Sequence, residues 1–407
     1  MYITSLDIGT SEIRALVAET QKDRRLSLAG LFKSKAEGLR KGEIVSIDDA
    51  SRVLALLFDD IKKIHKTALK NIFLGVGGSN IKMESSRGIA AVSRSDNEIY
   101  QDDVQRVIKA SQAISLGPNR MILHTLTREF IVDGTSGIVD PLGMVGNRLE
   151  VQSLIIHSFK SSVNSLIKCV EAVGGEVAGL IFNPLAASRA VLSKIQKDLG
   201  VVVIDIGAGT TGVCVYEENN LLQVMVLPMG ATNITNDLAI GLRCGVGSAE
   251  TIKLSFGFAL PKEVGTRERL ELQEIDPNLK SNVTRRFISE IIEVRLAEIF
   301  ELVNNELKLM GRNSRLPAGV VVTGGGAKMP GIVDLAKEEL KLPAQIGIPV
   351  LDNLEVNDPE VRLELEDPRF SVALGLLLWG GDESFKGKWS SSKKGGWAGK
   401  FFKHFLP

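Results

Sequence analysis

Two stretches about half the chain's length apart carry the same order of features, and this repetition limits the possible folds more than anything else in the sequence. From Ile3 to Asp7 runs a strand pattern, then the turn Ile8-Gly9-Thr10-Ser11, a second strand from Glu12 to Ala18, the polar Gln21-Lys22-Asp23, and a third strand from Leu26 to Phe32. The same order returns as Val201 to Asp205, then Ile206-Gly207-Ala208-Gly209-Thr210-Thr211, Val213 to Glu217, Glu218-Asn219-Asn220 and Leu221 to Leu227. Each copy reads as strand, glycine turn, strand, polar turn, strand, so two related α/β lobes are expected.

Between these landmarks apolar residues recur at helical spacing from Asp49 to Lys66, Ser161 to Val173 and Asn282 to Met310, and Pro184 suits the first turn of a helix through Leu192. The stretch 82–158 belongs to neither copy; with a helix from Asp102 to Ser115 and a strand from Met121 to Val132 it reads as an inserted subdomain. The remaining division is 1–81 and 159–195 for the first lobe, 196–369 for the second, 370–383 for a return helix, 384–394 for a linker and 395–407 for a terminal helix. With 407 residues, 44% hydrophobic and 24% charged, the chain can bury a core without staples. Its cysteines, Cys169, Cys214 and Cys244, are odd in number and far apart, which encodes neither a disulfide framework nor a metal knuckle and suits a reducing cytoplasm. No basic region followed by an apolar one opens the chain, and the apolar stretch from Val372 to Trp379 is far short of a span, so any membrane contact is expected to be peripheral.

The 49 basic and 49 acidic side chains cancel, which excludes a surface given over to nucleic acid. Their distribution is uneven: after Glu383 come six lysines and no acid. Placed at 100° per residue, Trp397, Ala398, Phe401, Phe402, Phe405 and Leu406 share one half of a helix while Lys400 and Lys403 occupy the other. That segment reads as a short anchor on an anionic membrane, weak alone and firm when many copies are joined. The bland alternative is a tail that packs on the body or stays disordered.

Each glycine turn joins two antiparallel strands, so neither is a Walker loop or a dinucleotide fingerprint. Such a hairpin offers a row of backbone N–H groups to phosphate oxygens, with hydroxyls from Thr10, Ser11, Thr210 and Thr211 beside them. Asp7 and Asp205 end their strands at the turns, where a carboxylate repels phosphate but can hold a hydrated magnesium ion. One copy alone reads more simply as a hairpin; two in matching strand contexts favour a phosphate cradle. In Val320-Val321-Val322-Thr323-Gly324-Gly325-Gly326-Ala327 the three glycines let a flat ring lie on bare backbone, a flexible connector being the alternative. Glu250 and Lys253, three apart, share a helix face, where such residues are ordinarily a solvated pair.

In this order the three glycine motifs are similar to the two phosphate motifs and the adenosine motif of the actin-like ATPase superfamily. Within it the chain resembles the FtsA family of bacterial cell-division proteins over nearly its whole length. The resemblance extends to Met121-Ile122-Leu123-His124, Phe130-Ile131-Val132-Asp133-Gly134 and Gly137 to Met144 in the insertion, Thr235 to Arg243, and Phe370 to Gly380. It implies an actin-like (ribonuclease H-like) two-lobed α/β fold with a family-specific insertion. It also implies an ATP- and magnesium-binding protein that forms filaments on the cytoplasmic face of the membrane at the division site. There it would tie the tubulin-like protein FtsZ to the membrane and meet other division proteins.

By the same resemblance Asp7, Gly9, Thr10 and Ser11 face the phosphates from one lobe and Asp205, Gly207, Gly209, Thr210 and Thr211 from the other, with Asp7 and Asp205 holding magnesium through water. Gly324, Gly325 and Gly326 support the adenosine, Glu250 and Lys253 lie near ribose and base, and Pro184 to Arg189 and Val372 to Leu378 are two crossing helices. A short FtsZ peptide is expected near Arg285, Arg286 and Arg295; that these arginines merely solvate a helix face is the alternative. Three positions depart from the family: Asn183 stands for an acid, Ala208 for a glycine and Gly212 for an aspartate. The lost carboxylates predict slow hydrolysis and leave the catalytic residue unassigned. A pilus-assembly actin relative would share the fold without the lysine-aromatic tail. A sugar kinase needs an acceptor pocket with a base, which His65, His124 and His157, set in apolar patterns, do not supply, and a chaperone needs a further peptide-binding domain.

Overall fold

In the computed structural model, which describes residues 1–21, 25–277, 279 and 282–387, both repeated meanders form. Tyr2–Ile8, Glu12–Thr20 and Leu26–Lys35 pair antiparallel, with Asp7 opposite Arg14; Val201–Ile206, Thr211–Glu217 and Asn220–Leu227 do the same, with Asp205 opposite Gly212. Beyond the first strand of each meander, on its other side, two further strands follow in parallel, one after the other. These are Ile72–Val76 and Val177–Phe182 in the first sheet, and Val320–Thr323 and Ala344–Ile346 in the second. Helices cover these central strands, so they read as almost unbroken apolar runs; in Val201–Ile206 every residue but Asp205 is buried.

The helices follow the apolar spacing, with local chemistry fixing their ends. Ile47–Ile64 starts where the Ser46 side chain accepts from Asp49 N, and it buries Val53, Leu54, Leu57, Phe58 and Ile61. The long helix is Arg285–Leu309, capped by Thr284, and begins later than its pattern suggests because Asn282–Thr284 pair as a strand with Arg269–Glu271. Its residues Ile292, Leu296, Ile299, Phe300 and Val303 build the core with Val202, Ile204 and Val322 of the second sheet. Asn183–Val191 and Ser371–Gly387 are the two crossing helices: a Cβ at Gly375 would lie 1.8 Å from the Ala186 carbonyl oxygen, so only glycine permits the approach. The return helix continues through Gly387 and takes in 384–387 of the expected linker; the rest of that linker and the expected helix 395–407, with Trp397, Lys400, Phe401, Phe402, Lys403 and Phe405, lie outside the described residues. One crossing is absent from the sequence division: Leu354–Glu355, inside 196–369, pairs with Leu26 and Ser27 at the edge of the first sheet, and Glu364 then binds Lys33 at 2.5 Å.

The chain divides into two compact units, Met1–Ser79 with 166–387, and Asn80–Ser165, which contains the stretch expected as an insertion. The smaller unit is an antiparallel sheet ordered Lys82–Ala91, Arg148–Phe159, Arg120–Val132, Thr135–Ile138. Its helix, Gln101–Ser111, ends four residues before Ser115 and packs Val104, Val107 and Ile108 on Phe130, Val132, Leu149 and Val151. His124 and His157 are buried in this unit and burial pushes His124 down to about 4, while His65 is exposed in the larger one.

Candidate functional site

Both glycine turns close with the same backbone bond: Gly9 N donates to Glu12 O at 3.2 Å and Gly207 N to Thr210 O at 2.9 Å. The first glycine's N–H is therefore spent inside each turn. The next N–H groups, of Thr10 and Ser11 and of Ala208 and Gly209, have no acceptor among the described residues. The two turns face each other closely, since a Cβ at Gly209 would lie 2.7 Å from Thr10 Oγ1. They form one end of a cleft of about 630 Å³, a size that suits a nucleotide. Asp7, Gly9, Thr10, Ser11, Asp205, Gly207, Gly209, Thr210, Glu250, Lys253, Gly324, Gly325 and Gly326 all line it.

Thr211 does not. Successive strand residues point to opposite faces, so with Thr210 on the cleft Thr211 turns inward, fully buried, and its hydroxyl donates to Met229 O at 2.9 Å.

The acids beside these turns are only partly offset by positive charge. Burial pushes Asp7 up to about 6, with Arg14 at 3.9 Å only partly opposing it. Asp205 is pushed up to about 7 by burial and then by the negative Asp7. Arg14, which sequence reasoning passes over, is shared among Asp7, Glu12 and the face of Phe370 at 5.6 Å. Two carboxylates that resist ionisation beside four free N–H groups fit a hydrated divalent cation together with an anionic ligand. Among the described residues no group of three or more His, Cys, Asp or Glu is placed to hold a metal ion by itself.

The three glycines on the same cleft have different duties. Gly324 has φ +81°, and a Cβ there would lie 2.2 Å from Asp205 Oδ1; one at Gly326 would lie 2.3 Å from Ile206 Cγ2. These two are glycine so that the turn can sit on the end of Val201–Ile206. Gly325 alone faces open space, its nearest neighbour being Arg369 Cγ at 3.8 Å, and so offers the bare platform. Lys253, also on the wall, is buried, with Nζ 2.7 Å from Glu250 and 2.9 Å from Thr235 Oγ1, so this pair belongs to the cleft wall and not to a solvated face.

Lys328 and Arg369 also line the cleft, and both bind Asp367. Burial alone would raise that carboxyl, but the bonds from Arg369 and Lys328 hold it at about 2. No motif announces them, because the two segments meet only through the fold.

The departures from the family pattern have a physical setting. Asn183 Oδ1 is buried on the cleft wall with no hydrogen-bond partner among the described residues, lying over Gly75 and Gly77. A Cβ at Gly212 would lie 2.4 Å from Pro184 Cγ, which leaves no room for a carboxylate. The three arginines lie away from the cleft and none projects freely. Arg295 forks onto Asp237 at 2.7 and 3.0 Å, Arg285 donates to Phe256 O and Glu268, and Arg286 is 3.3 Å from Glu290.

No helix among the described residues is long and apolar enough to cross a membrane. Residues 202–375 match the family described as Cell division protein FtsA, and 78–157 that described as SHS2 domain inserted in FTSA. Over 377 residues the chain is 38% identical to Cell division protein FtsA of Bacillus subtilis (strain 168), covering 93% of this chain and 82% of that one. Among solved structures, a chain of the PilM-PilN type IV pilus biogenesis complex superposes with a TM-score of 0.67 at 18% identity, over 93% of this chain and 98% of its own. MreB 5 of Spiroplasma citri bound to AMPPNP superposes with a TM-score of 0.56 at 16% identity, over 95% and 97%. At those identities the two structures speak for the fold, which is actin-like, whereas the sequence matches speak for the family. The chain belongs to the FtsA family of actin-like cell-division proteins.

Proposed function

We propose that this chain binds ATP with magnesium in the cleft, turns it over slowly, polymerises on the inner face of the cell membrane and ties FtsZ to it at the division site. The observation that carries the nucleotide reading is the pair of facing turns with free N–H groups at Thr10, Ser11, Ala208 and Gly209, lining one cleft together with the bare backbone at Gly325. The fold it shares with MreB 5, which was solved bound to AMPPNP, supports the same reading. The N–H groups and the hydroxyls of Ser11 and Thr210 would hold phosphate oxygens, and Asp7 and Asp205 would hold magnesium through its water shell. The ion would supply the positive charge that phosphates and carboxylates both need.

What supports slow turnover is the Asn183 amide on the cleft wall, which stands where the family has an acid and cannot itself act as a base on water. Tight binding without such a base stabilises the bound nucleotide and leaves the chemical barrier standing.

Six lysines and a half-wheel of aromatics after Glu383 support the membrane assignment, and the FtsA kinship supports FtsZ and self-association. For the FtsZ peptide Arg286 is the better candidate, because Arg295 would have to leave Asp237 first. Electron microscopy on anionic lipid monolayers tests the reading. With ATP and magnesium the full chain should form filaments on the lipid and a chain ending at Gly387 should not; equal decoration by both, or none by either, would overturn it.

A further inference from the structure

Each cationic side chain on the cleft wall already has an acidic partner. Arg14 binds Glu12 and Asp7, Lys253 binds Glu250, and Lys328 and Arg369 both bind Asp367. A nucleoside triphosphate brings several negative charges, and one divalent ion offsets only part of them. A further cation beside the two glycine turns would offset the rest.

The small hairpin of Leu39–Arg40 and Glu43–Ile44 places its tip at that point. Gly42 N donates to Thr10 Oγ1 at 3.0 Å, and the position a Cβ would take at Gly209 is 3.0 Å from Lys41 Cα and 3.1 Å from Lys41 N. The tip thus touches both phosphate turns, and Gly42 has no room for a side chain, since its Cβ would lie 2.6 Å from Gly77 O. Lys41 itself is exposed and has no acidic partner among the described residues. Both tip residues have positive φ, +50° and +73°, the geometry of a tight two-residue hairpin in which asparagine is the favoured first residue. A lysine there accepts backbone strain that asparagine would avoid, and strain of this kind gathers at sites of use.

We propose that Lys41 reaches the terminal phosphate of the bound nucleoside triphosphate, so that this hairpin tip distinguishes triphosphate from diphosphate. The inference rests on the nucleotide reading of the cleft. A charged donor at the last phosphate, held beside both turns, acts on the triphosphate and leaves the diphosphate nearly untouched.

Equilibrium titration of the full chain with magnesium-ATP and magnesium-ADP provides the test, using wild type, Lys41→Asn and Lys41→Arg. Asparagine suits the turn and removes the charge, so Lys41→Asn should unfold no earlier than wild type on heating, yet lose about tenfold in ATP affinity with ADP changed less than about threefold. Lys41→Arg keeps the charge and should retain most of the preference. If Lys41→Asn binds ATP as the wild type does, or loses both nucleotides equally, the tip does not read the terminal phosphate and the proposal falls while the nucleotide site stands. If the wild type binds neither nucleotide, both readings fall.

Discussion

Replacing Asp205 by asparagine should stabilise the ligand-free protein while weakening its use of magnesium. The carboxyl rises from an ordinary 3.8 to about 7 on folding, through burial and the neighbouring Asp7. A carboxyl raised in this way holds its proton more tightly folded than unfolded, so stability falls as pH climbs from about 4 through about 7. At about 1.4 kcal/mol per unit the full shift amounts to about 4 kcal/mol at pH 8, and exposure at the cleft reduces the working figure to about 2 kcal/mol. Asparagine keeps the shape and carries no charge. Urea unfolding without nucleotide or metal should therefore place the midpoint of Asp205→Asn above wild type at pH 8, with the gap closing toward pH 4. Adding magnesium-ATP should raise the wild-type midpoint much more than that of the variant. Equal midpoints at every pH, or a variant less stable at pH 8, would refute the picture of two underscreened carboxylates waiting for a cation.

Gly325→Val should fold normally, because only Arg369 Cγ lies near, and should lose nucleotide affinity by about a hundredfold in titration, whereas Gly324→Ala should lower the melting temperature by meeting Asp205 Oδ1 at 2.2 Å. Gly375→Val drives a branched side chain into the Ala186 carbonyl and should cost more than about 3 kcal/mol in unfolding experiments. Arg286→Glu should weaken binding of an FtsZ tail peptide in anisotropy measurements at unchanged stability, while Arg295→Glu should also lower stability by repelling Asp237. Phe401→Glu with Phe405→Glu should release the protein from anionic vesicles in co-sedimentation and leave ATP binding intact.

The parts legible in the sequence are those whose chemistry is local. A run such as Val201 to Asp205 ending in Asp-Ile-Gly declares strand and turn within ten residues, and its repetition gives the two sheets their shared order. Parts assembled across the fold leave no such trace. Leu354–Glu355 is too short for any periodicity, yet it carries the chain back to the first sheet. Asp367 meets Lys328 across 39 residues, and Lys41 meets Gly209 only because the hairpin tip lies between the turns. Thr210 and Thr211 read alike as hydroxyl donors until strand alternation sends one to the cleft and the other into the core. The three glycines at 324–326 likewise read as one platform, although two of them are required by packing on Ile206 and Asp205.

Recruitment of labelled FtsZ to anionic vesicles by this protein is the most direct measurement. With magnesium-ATP the full chain should carry FtsZ to the lipid surface, and a chain ending at Gly387 should bind FtsZ in solution without bringing it there. If FtsZ stays in solution beside the full chain, or reaches the vesicles equally well with the shortened one, this protein does not tie the division ring to the membrane.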